Sequence, residues 1–402
     1  MTFLPSDQDA SGRSFGAEEL DLLAEVIESG RLFAPKGRFV KDLETEFSEW
    51  LGVDQTVASS SGTAAIHSAL AAIDPEPGDE VITTSITDIG GLTPILYQGA
   101  VPVFADVDPE TGNVSASTVE QRISERTRAI MVTHLFGNPA EVKEICDLAD
   151  RHDIPVIEDC AQAFGATVSG DKVGGFGAMG TFSLQQGKHI TTGEGGLTAT
   201  NDAGLAKTMR LFVNKAWDYD DPTDHDFLAL NYRMSELQGA VGRAQLDRLD
   251  NGVDTRRANA SALDERLGAI EGIEPVKVSS DARSSYWRYC LLVDGTVVPG
   301  GPDALAEKLR DLGVPSAPRY IKKPAYRTRV FADQKTFGSS RWPFTLARPE
   351  AVDYSDELFP GTLDFLRHVL VLPWNERMDQ GHIDRIAEAL AQGVTSLRQE
   401  AA

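Results

Sequence analysis

The sequence predicts an α/β fold: a large domain with a mostly parallel sheet flanked by helices, followed by a smaller α+β domain. After Gly52, short β-rich runs alternate with helical stretches, which is typical of βαβ units. The 402 residues exceed what one hydrophobic core usually organises, and the alternation becomes looser after residue 255. We therefore place the large domain at 1–250 and the small one at 251–402.

Two helices are predicted before the alternating region. The stretches "AEELDLLAEVIESG" and "RFVKDLETEFSEWLG" carry apolar residues at helical spacing and stop at Gly30 and Gly52. The β-rich runs that follow are "EVITTSI", "VPVFADV", "RAIMVTHLF" and "IPVIEDC". Helices between them include "GTAAIHSALAAI" and "PAEVKEICDLADRH", where Pro139 suits the first helical position because its missing N–H costs nothing there.

The later elements are predicted from the same patterns. Residues 230–249, "LNYRMSELQGAVGRAQLDRL", form one long predicted helix, and another lies near 258–270. A strand at "SYWRYCLLVD" and helices at "DALAEKLRDLG" and "GHIDRIAEALAQGV" complete the small domain. The segment 322–360 lacks periodicity, so it is either a substrate-side loop or an irregular surface excursion.

Composition excludes several classes of partner. With 61 acidic and 38 basic residues the formal net charge is -23, which repels nucleic acid and anionic lipid alike. No segment approaches the roughly 20 apolar residues of a membrane span, and the first residues do not resemble an export signal. The three cysteines are widely spaced among apolar neighbours, so neither disulfides nor a metal site is indicated. We expect a cytoplasmic protein that binds no metal.

One glycine motif has the wrong context for its usual ligand. Residues 175–180, "GFGAMG", fit the dinucleotide fingerprint G-x-G-x-x-G. That fingerprint follows a strand and opens a helix, whereas this stretch leads into the β-like "TFSL". We therefore do not expect a nicotinamide cofactor.

The first feature that suggests chemistry is a candidate anion site. In "SSSGTAAIHSAL", Ser61, Gly62 and Thr63 precede an evident helix, so free N–H groups and the helix dipole point to one spot. This spot suits a phosphate group. The alternative is an ordinary helix cap made by a hydroxyl side chain.

The second feature is a pair of carboxylates at a strand end. In "IPVIEDCAQAFGA" a buried run ends in Glu158 and Asp159, and Gln162 follows three residues later. Ligands of open α/β sheets lie beyond the carboxyl ends of strands, so Asp159 is placed to hold a protonated ring nitrogen. A cap for the next helix is the alternative.

The third feature is a lone lysine in "FSLQQGKHITTGEGGLTAT". Ser183 and Lys188 follow a β-like run, and Gly193, Gly195 and Gly196 let the chain turn tightly. A single lysine beside a turn is usually a surface residue. Together, however, a phosphate cradle, a carboxylate and an amine are the three requirements of pyridoxal 5'-phosphate, which forms a Schiff base with lysine.

These motifs resemble the DegT/DnrJ/EryC1/StrS sugar aminotransferases, within fold type I of the pyridoxal-phosphate enzymes. The matching stretches are "SSSGTAAIHSAL", "VPVFADVD", "VIEDCAQAFGA", "FSLQQGKHITTGEGGLTAT" and "NYRMSELQGA". The resemblance is strongest from about 25 to 245 and weak after that. It implies a seven-stranded-type sheet, mixed but mostly parallel, in the large domain.

The resemblance also implies roles for individual residues. Lys188 would be the Schiff-base lysine, Asp159 the partner of the pyridine nitrogen, and Gln162 the neighbour of the ring hydroxyl. Ser183 and the segment Gly62, Thr63 and Ala64 would hold the phosphate. Asn231 would reach the phosphate of a neighbouring subunit, because family active sites lie at a twofold homodimer interface.

The implied reaction moves an amino group from glutamate or glutamine, through pyridoxamine 5'-phosphate, to a keto-sugar or keto-cyclitol of secondary-metabolite or surface-sugar biosynthesis. Gln185 and Gln186 look closer to the branch that acts on cyclitols such as scyllo-inosose. Asp88 stands where the family usually has an aromatic ring stacked on the cofactor, so either Ile89 or a shifted loop would cover that face, or Asp88 would meet the substrate. His189 would line the site or pack, and Tyr320 is a further substrate-side candidate.

Two alternatives stay open at this point. Asp88 in place of an aromatic ring also fits a related pyridoxal-phosphate lyase or dehydratase with a sugar-like substrate. A catalytically silent protein that binds the cofactor as a sensor or assembly partner is the other alternative. The joint presence of Lys188, Asp159 and Gln162 argues against silence.

Overall fold

A seven-stranded sheet lies at the centre of the protein. The computed structural model describes residues 4–268 and 270–402. The strands are, in chain order, β1 (Gln55–Ser59), β2 (Glu80–Thr84), β3 (Val101–Ala105), β4 (Thr127–Thr133), β5 (Val156–Asp159), β6 (Thr167–Val168), β7 (Asp171–Lys172), β8 (Met179–Ser183), β9 (Gly196–Thr200), β10 (Ile273–Pro275), β11 (Ala282–Arg283), β12 (Arg288–Val293), β13 (Ala317–Pro318) and β14 (Val369–Pro373). The central order is β1-β9-β8-β5-β4-β2-β3. Its β9 runs antiparallel to both neighbours and the other pairs are parallel, which confirms the predicted mixed, mostly parallel sheet.

Helices cover the sheet on both faces. They are α1 (Ala17–Ser29), α2 (Phe39–Leu51), α3 (Gly62–Ile73), α4 (Thr93–Tyr97), α5 (Ala116–Glu120), α6 (Val142–Asp150), α7 (Ala203–Val213), α8 (Glu236–Leu246), α9 (Leu249–Leu267), α10 (Gly301–Asp311), α11 (Arg329–Ala332), α12 (Pro360–His368) and α13 (Gln380–Ala401). The predicted helices α1 and α2 are present, and they end at the expected glycines, Gly30 and Gly52, which adopt the left-handed conformation. In the part of the chain that the structure describes, no helix is both long and apolar enough to cross a membrane.

A second, smaller sheet forms the α+β part that the sequence predicts. Its order is β10-β12-β14-β13, and all its pairs are antiparallel. Buried leucines from α9, α10 and α13 pack with those of β12 and β14 in one core. The division of the chain near residue 250 stays a prediction.

The single helix predicted at 230–249 is wrong. Residues 230–235 are not helical, because the Tyr232 carbonyl accepts from the Ser60 N–H at 2.7 Å and its own N–H bonds to the end of α7. The helix starts only at Glu236, where Ser235 and Gln238 form a capping box. A second helix, α9, follows and ends at Leu267, while Ala269, within the predicted span 258–270, lies outside the described residues.

Two smaller expectations also need correction. Pro139 precedes α6 by three residues, so it is not the first helical residue. The segment 322–360 is irregular, but it is not a surface excursion, since Tyr326, Phe331 and Phe359 are almost fully buried against the central sheet. Its contact with the sheet includes the Ala325 N–H, which donates to the carbonyl just after β2.

Candidate active site

Several candidate residues lie along one edge of the central sheet. Asp159 ends β5 and Ser183 ends β8, its parallel neighbour, while Ser59 at the end of β1 lies level with Gly196 at the start of β9. Ser183 pairs with the same Gly196. Because α3 begins at Gly62, just after β1, its N-terminus faces these strand ends, where ligands of open α/β sheets bind.

Lys188 lies in the turn that follows β8, and its amine is buried. The Nζ atom sits 4.5 Å from the ring centroid of Trp287. Burial lowers the pKa of the Lys188 amine, whereas the charges of Asp159 and Asp88 act to raise it. The amine therefore loses its proton more readily than an exposed lysine does, and a neutral amine is the nucleophilic form.

Asp159 is the buried counterpart of that amine. Its Oδ1 accepts the Ala161 N–H at 3.1 Å and its Oδ2 lies 3.4 Å from the Thr133 hydroxyl. Burial raises the pKa of the carboxyl group, although the Ala161 N–H and the Lys188 charge act in the opposite direction. Asp159 is thus a carboxylate whose hydrogen-bonding capacity is only partly used.

Gln162 is held in one orientation beside the same strand end. Its Oε1 accepts the Phe136 N–H at 2.7 Å, and the side chain is buried. With the oxygen occupied, the amide NH₂ group is the part of Gln162 that is available to a ligand.

The two segments that are predicted to hold a phosphate lie in contact with each other. A Cβ atom built on Gly62 would lie 2.6 Å from the Cβ of Ser183, so the start of α3 and the end of β8 touch. Ser61 caps the helix by accepting the Ala64 N–H at 3.1 Å, which removes that N–H from the predicted donor set. Thr63, beyond Gly62, remains exposed.

Asp88 joins this group from a neighbouring turn. Its Oδ1 accepts the Gly90 N–H at 2.8 Å, and a Cβ atom on Gly91 would lie 3.4 Å from Asp159 Oδ2. Thr63 Oγ1 would lie only 2.6 Å from a Cβ atom on Gly90. The turn therefore covers Asp159 with backbone and leaves the exposed Asp88 carboxylate beside the site.

The other substrate-side candidates lie in the turn after β8 that contains Lys188, which we call the lysine turn. Their side chains make hydrogen bonds within the protein. Gln185 Oε1 accepts the Gly187 N–H at 2.8 Å, and Gln186 Nε2 donates to the Asp7 carbonyl at 3.1 Å. His189 Nε2 lies 3.1 Å from the Ser285 carbonyl, and burial holds the pKa of its ring well below the usual value. His189 is therefore a neutral, packed side chain.

Two further candidates lie at the periphery. Tyr320 meets Trp287 edge-on at 5.7 Å between ring centroids and is 46% exposed. Asn231 is exposed and pairs with Asn214 in an isolated β-bridge. Among the described residues, no hydrogen bond links Asn231 to Lys188 or Asp159.

The structure adds aromatic residues that the sequence did not reveal. The ring of Trp287 lies beside the Lys188 amine, and its Nε1 donates to the Gly187 carbonyl at 2.6 Å. The ring of Phe136 stacks on that of Trp287, with 6.2 Å between the ring centroids. Trp287 comes from the segment just before β12, about 100 positions after Lys188. No local pattern connects two such distant positions.

Glu158 explains the glycine motif that resembled a dinucleotide fingerprint. Its carboxylate accepts the N–H groups of Gly174, Phe176 and Gly177 at 2.6 to 2.8 Å, and His134 Nε2 lies 3.2 Å away. The buried Cys160 thiol is nearby, with its pKa raised well above the usual value by burial. The glycines thus wrap a buried carboxylate, and both Glu158 and His134 serve the fold.

Comparison with known proteins identifies the class. Residues 13–391 match the DegT/DnrJ/EryC1/StrS aminotransferase family, and the chain belongs to it. The protein is therefore an aminotransferase of the pyridoxal phosphate-dependent class, as the motifs implied.

Two relatives of known name and one solved structure show what the chain resembles. The chain is 36% identical over 319 residues to GDP-perosamine synthase of Caulobacter vibrioides, spanning 79% of this chain and 85% of that protein. It is 36% identical over 330 residues to the L-glutamine:2-deoxy-scyllo-inosose aminotransferase of Streptomyces fradiae, spanning 78% and 77%. The crystal structure of an aminotransferase from Psychrobacter cryohalolentis superimposes with a TM-score of 0.86 at 29% identity, covering 99% of this chain and all of that one.

Proposed function

We propose that this aminotransferase uses pyridoxal 5'-phosphate to move an amino group from glutamate or glutamine to the ketone of a sugar or cyclitol. The observation that carries the proposal is the convergence of three groups at one sheet edge: the Lys188 amine, the Asp159 carboxylate and the cradle of Gly62 and Ser183. Neither a lyase or dehydratase nor a silent binding protein is favoured by the family match.

The residues present fit the cofactor. Glycine at position 62 lets the N-terminus of α3 lie directly against Ser183, so a phosphate bound at that helix end would be within reach of the Ser183 hydroxyl group. Asp159 is a buried carboxylate without a full set of partners, and a protonated ring nitrogen would complete it. Gln162, whose Oε1 accepts the Phe136 N–H, would present its NH₂ group to the ring hydroxyl. When bound, the ring supplies an electron sink for the substrate carbon.

Lys188 has two tasks in this proposal. Its lowered pKa supplies the neutral Nζ that holds the cofactor, and the same atom, once released, accepts and returns a proton at the substrate carbon. Its position against Trp287 limits its freedom and keeps the amine away from water. The Asp159 carboxylate would hold the ring nitrogen and keep it protonated.

The substrate class rests on the relatives and on Asp88. Relatives named for perosamine and deoxy-scyllo-inosose chemistry support a polyhydroxylated ketone here. Asp88 places an exposed carboxylate beside Asp159 and Lys188, and a carboxylate accepts hydrogen bonds from neighbouring hydroxyl groups. We assign less of the recognition to Gln185 and Gln186, whose side chains bind the chain itself.

A homodimer is part of the proposal. Leu228 and Leu230, 95% and 41% exposed, lie just before Asn231, and Tyr97 is 63% exposed. Exposed apolar residues of this size favour burial against another chain. A second copy would bring Asn231 to the neighbouring phosphate cradle.

The test uses purified protein with pyridoxal 5'-phosphate. Adding glutamine or glutamate should convert the cofactor to pyridoxamine 5'-phosphate, and a keto-cyclitol or nucleotide-linked keto-sugar should reverse the conversion. Asp88→Asn should raise the KM for the preferred ketone more than that for the amino donor. No conversion with any donor tried would refute the proposal.

A further inference from the structure

The lysine turn is held by side chains that come from far away in the sequence. Arg13 Nη1 donates to the Lys188 carbonyl at 2.7 Å, and the same guanidinium group bonds to the Gln186 carbonyl. The carbonyl between them, of Gly187, accepts from Trp287 Nε1 at 2.6 Å. Three consecutive carbonyls of the turn therefore depend on side-chain donors rather than on a strand or helix.

Arg13 belongs to an N-terminal strap, which we define as residues 5–13. Its Nε donates to the Asp7 carbonyl at 2.8 Å, and the Asp7 carboxylate pairs with Arg288 at 2.7 Å. At the start of the strap, the Pro5 carbonyl accepts from Asn375 Nδ2 at 2.8 Å. The strap thus runs from the lysine turn to one end of the smaller sheet, where Arg288 at the start of β12 pairs with Pro373 at the end of β14 and Asn375 follows β14.

The chemistry of Arg13 matches a structural clamp on backbone. The side chain is only 5% exposed, and burying a guanidinium group is costly unless its donors are satisfied. Its donors go to three carbonyl oxygens, at Asp7, Gln186 and Lys188, which a planar fork can reach together. A lysine at this position has a single ammonium group and cannot reproduce that geometry.

We propose that Arg13 is a positioning residue: it fixes the backbone of residues 186–188 so that the Lys188 amine keeps its place beside Trp287 and Asp159. The effect on the reaction rests on the proposed function, whereas the effect on the turn does not. A shift of about 1 Å in a catalytic group costs on the order of 100-fold in rate, so loss of the clamp reduces kcat more than it changes KM.

The experiment compares Arg13→Ala with Arg248→Ala in the full-length protein. Arg248 is a matched control, because it also binds the N-terminal region, at the Ser14 carbonyl, and pairs with Glu18 and Glu19, while its hydrogen bonds among the described residues do not include residues 186–188. Hydrogen–deuterium exchange of the peptide 184–194, measured without cofactor, should accelerate roughly tenfold or more in Arg13→Ala alone. Equal exchange in both variants, or no change in Arg13→Ala, overturns the proposal.

A second readout is spectroscopic. With pyridoxal 5'-phosphate bound, the pH midpoint of the cofactor's absorbance change should shift in Arg13→Ala, and kcat should fall about 10-fold or more with KM within threefold of wild type. Arg248→Ala should leave the midpoint in place. A fall in thermal stability of both variants, without a shift in midpoint for Arg13→Ala, contradicts a positioning role.

The conservative variant Arg13→Lys keeps the test decisive if Arg13→Ala does not fold. In Arg13→Lys, the exchange rate of residues 184–194 and the pH midpoint of the absorbance change should both differ from those of wild type, by less than complete loss of the three Arg13 hydrogen bonds would cause. Values identical to those of wild type overturn the proposal. Faster exchange in a protein whose wild-type form binds no pyridoxal 5'-phosphate supports the clamp and refutes the proposed function, so the two failures are distinguishable.

Discussion

Two adjacent carboxylates on β5, Glu158 and Asp159, have opposite surroundings. Successive strand residues point to opposite faces of a sheet, so the two side chains enter different regions. Glu158 enters the glycine turn, where three N–H groups bind it and His134 lies beside it. Asp159 enters the lysine side and accepts the Ala161 N–H, with Lys188 as its nearby charge.

Glu158 is thus a carboxylate that stabilises the fold, whereas Asp159 is a carboxylate that is available to a ligand. Both are buried, and burial is costly for any charge whose hydrogen bonds are missing. Glu158 meets that requirement within the chain, whereas Asp159 meets it only in part, which leaves capacity for a positively charged partner. Substitutions on the two sides should therefore damage different properties.

The largest expected effect is that of Lys188→Ala. Amino transfer should fall by about 10³-fold or more, because the same Nζ both holds the cofactor and moves the proton. The free energy of unfolding of the cofactor-free protein should not fall, since the amine is desolvated there. Assays of the half-reaction with glutamine and urea unfolding provide the two measurements. Retained turnover would contradict the assignment.

The next comparison pairs Asp159→Asn with Glu158→Gln. Asp159→Asn should reduce amino transfer about 10²-fold or more and leave stability without cofactor unchanged or higher. Glu158→Gln should lower the free energy of unfolding by about 2–4 kcal/mol, since an amide replaces a carboxylate that accepts three N–H groups.

Urea unfolding and cofactor titration distinguish the pair. The opposite pattern, with Asp159→Asn unfolding early and Glu158→Gln fully stable but inactive, would reverse the roles that we assign to the two faces.

The sequence predicted much of the Asp159 side and little of what supports it. Asp159, Ser183 and Lys188 follow β-rich runs, so βαβ alternation alone places them at one sheet edge. Trp287 and Arg13 contact the lysine turn from positions about 100 and 175 residues away, and no periodicity encodes such contacts.

Local patterns also failed where tertiary hydrogen bonds take over the backbone. Residues 230–235 have helical spacing, but their backbone groups bond to neighbouring segments instead. The capping box of Ser235 and Gln238 was a usable signal for the true start of α8. Glu158 and Asp159 are both strand-end acids in the sequence, and the family resemblance singles out Asp159, but only the packed chain shows that the glycine turn binds Glu158.

A glycine on each side sharpens the comparison further. Gly62→Ala places a methyl group 2.6 Å from the Cβ of buried Ser183, so the affinity for the phosphate-bearing cofactor should fall about tenfold or more, and the free energy of unfolding should fall by about 1–3 kcal/mol. Gly177→Ala places its methyl group 2.6 Å from the Val156 carbonyl, in backbone that cannot move aside, and should lower the free energy of unfolding by about 1–3 kcal/mol. Similar affinities of Gly62→Ala and Gly177→Ala for pyridoxal 5'-phosphate would contradict the assignment of the cofactor to the Asp159 side.

The smallest expected effect is in the pH dependence of cofactor-free stability. The lowered pKa of Lys188 means that the unfolded chain binds more protons between that pKa and 10.5, so stability rises with pH in that window. The raised pKa of Asp159 means that the folded chain binds more protons between 3.8 and that pKa, so stability falls as pH rises there. Lys188→Met and Asp159→Asn should each remove one slope in urea unfolding at a series of pH values. Unaltered slopes would show that neither group is desolvated.

The central claim is that the cofactor binds on the Asp159 side of β5 through Lys188. Borohydride reduction of the protein with pyridoxal 5'-phosphate, followed by peptide mapping with mass spectrometry, tests it directly. We expect the phosphopyridoxyl group on the peptide that contains Lys188. Its attachment instead to Lys172, in β7 beside the glycine turn that binds Glu158, would contradict the account.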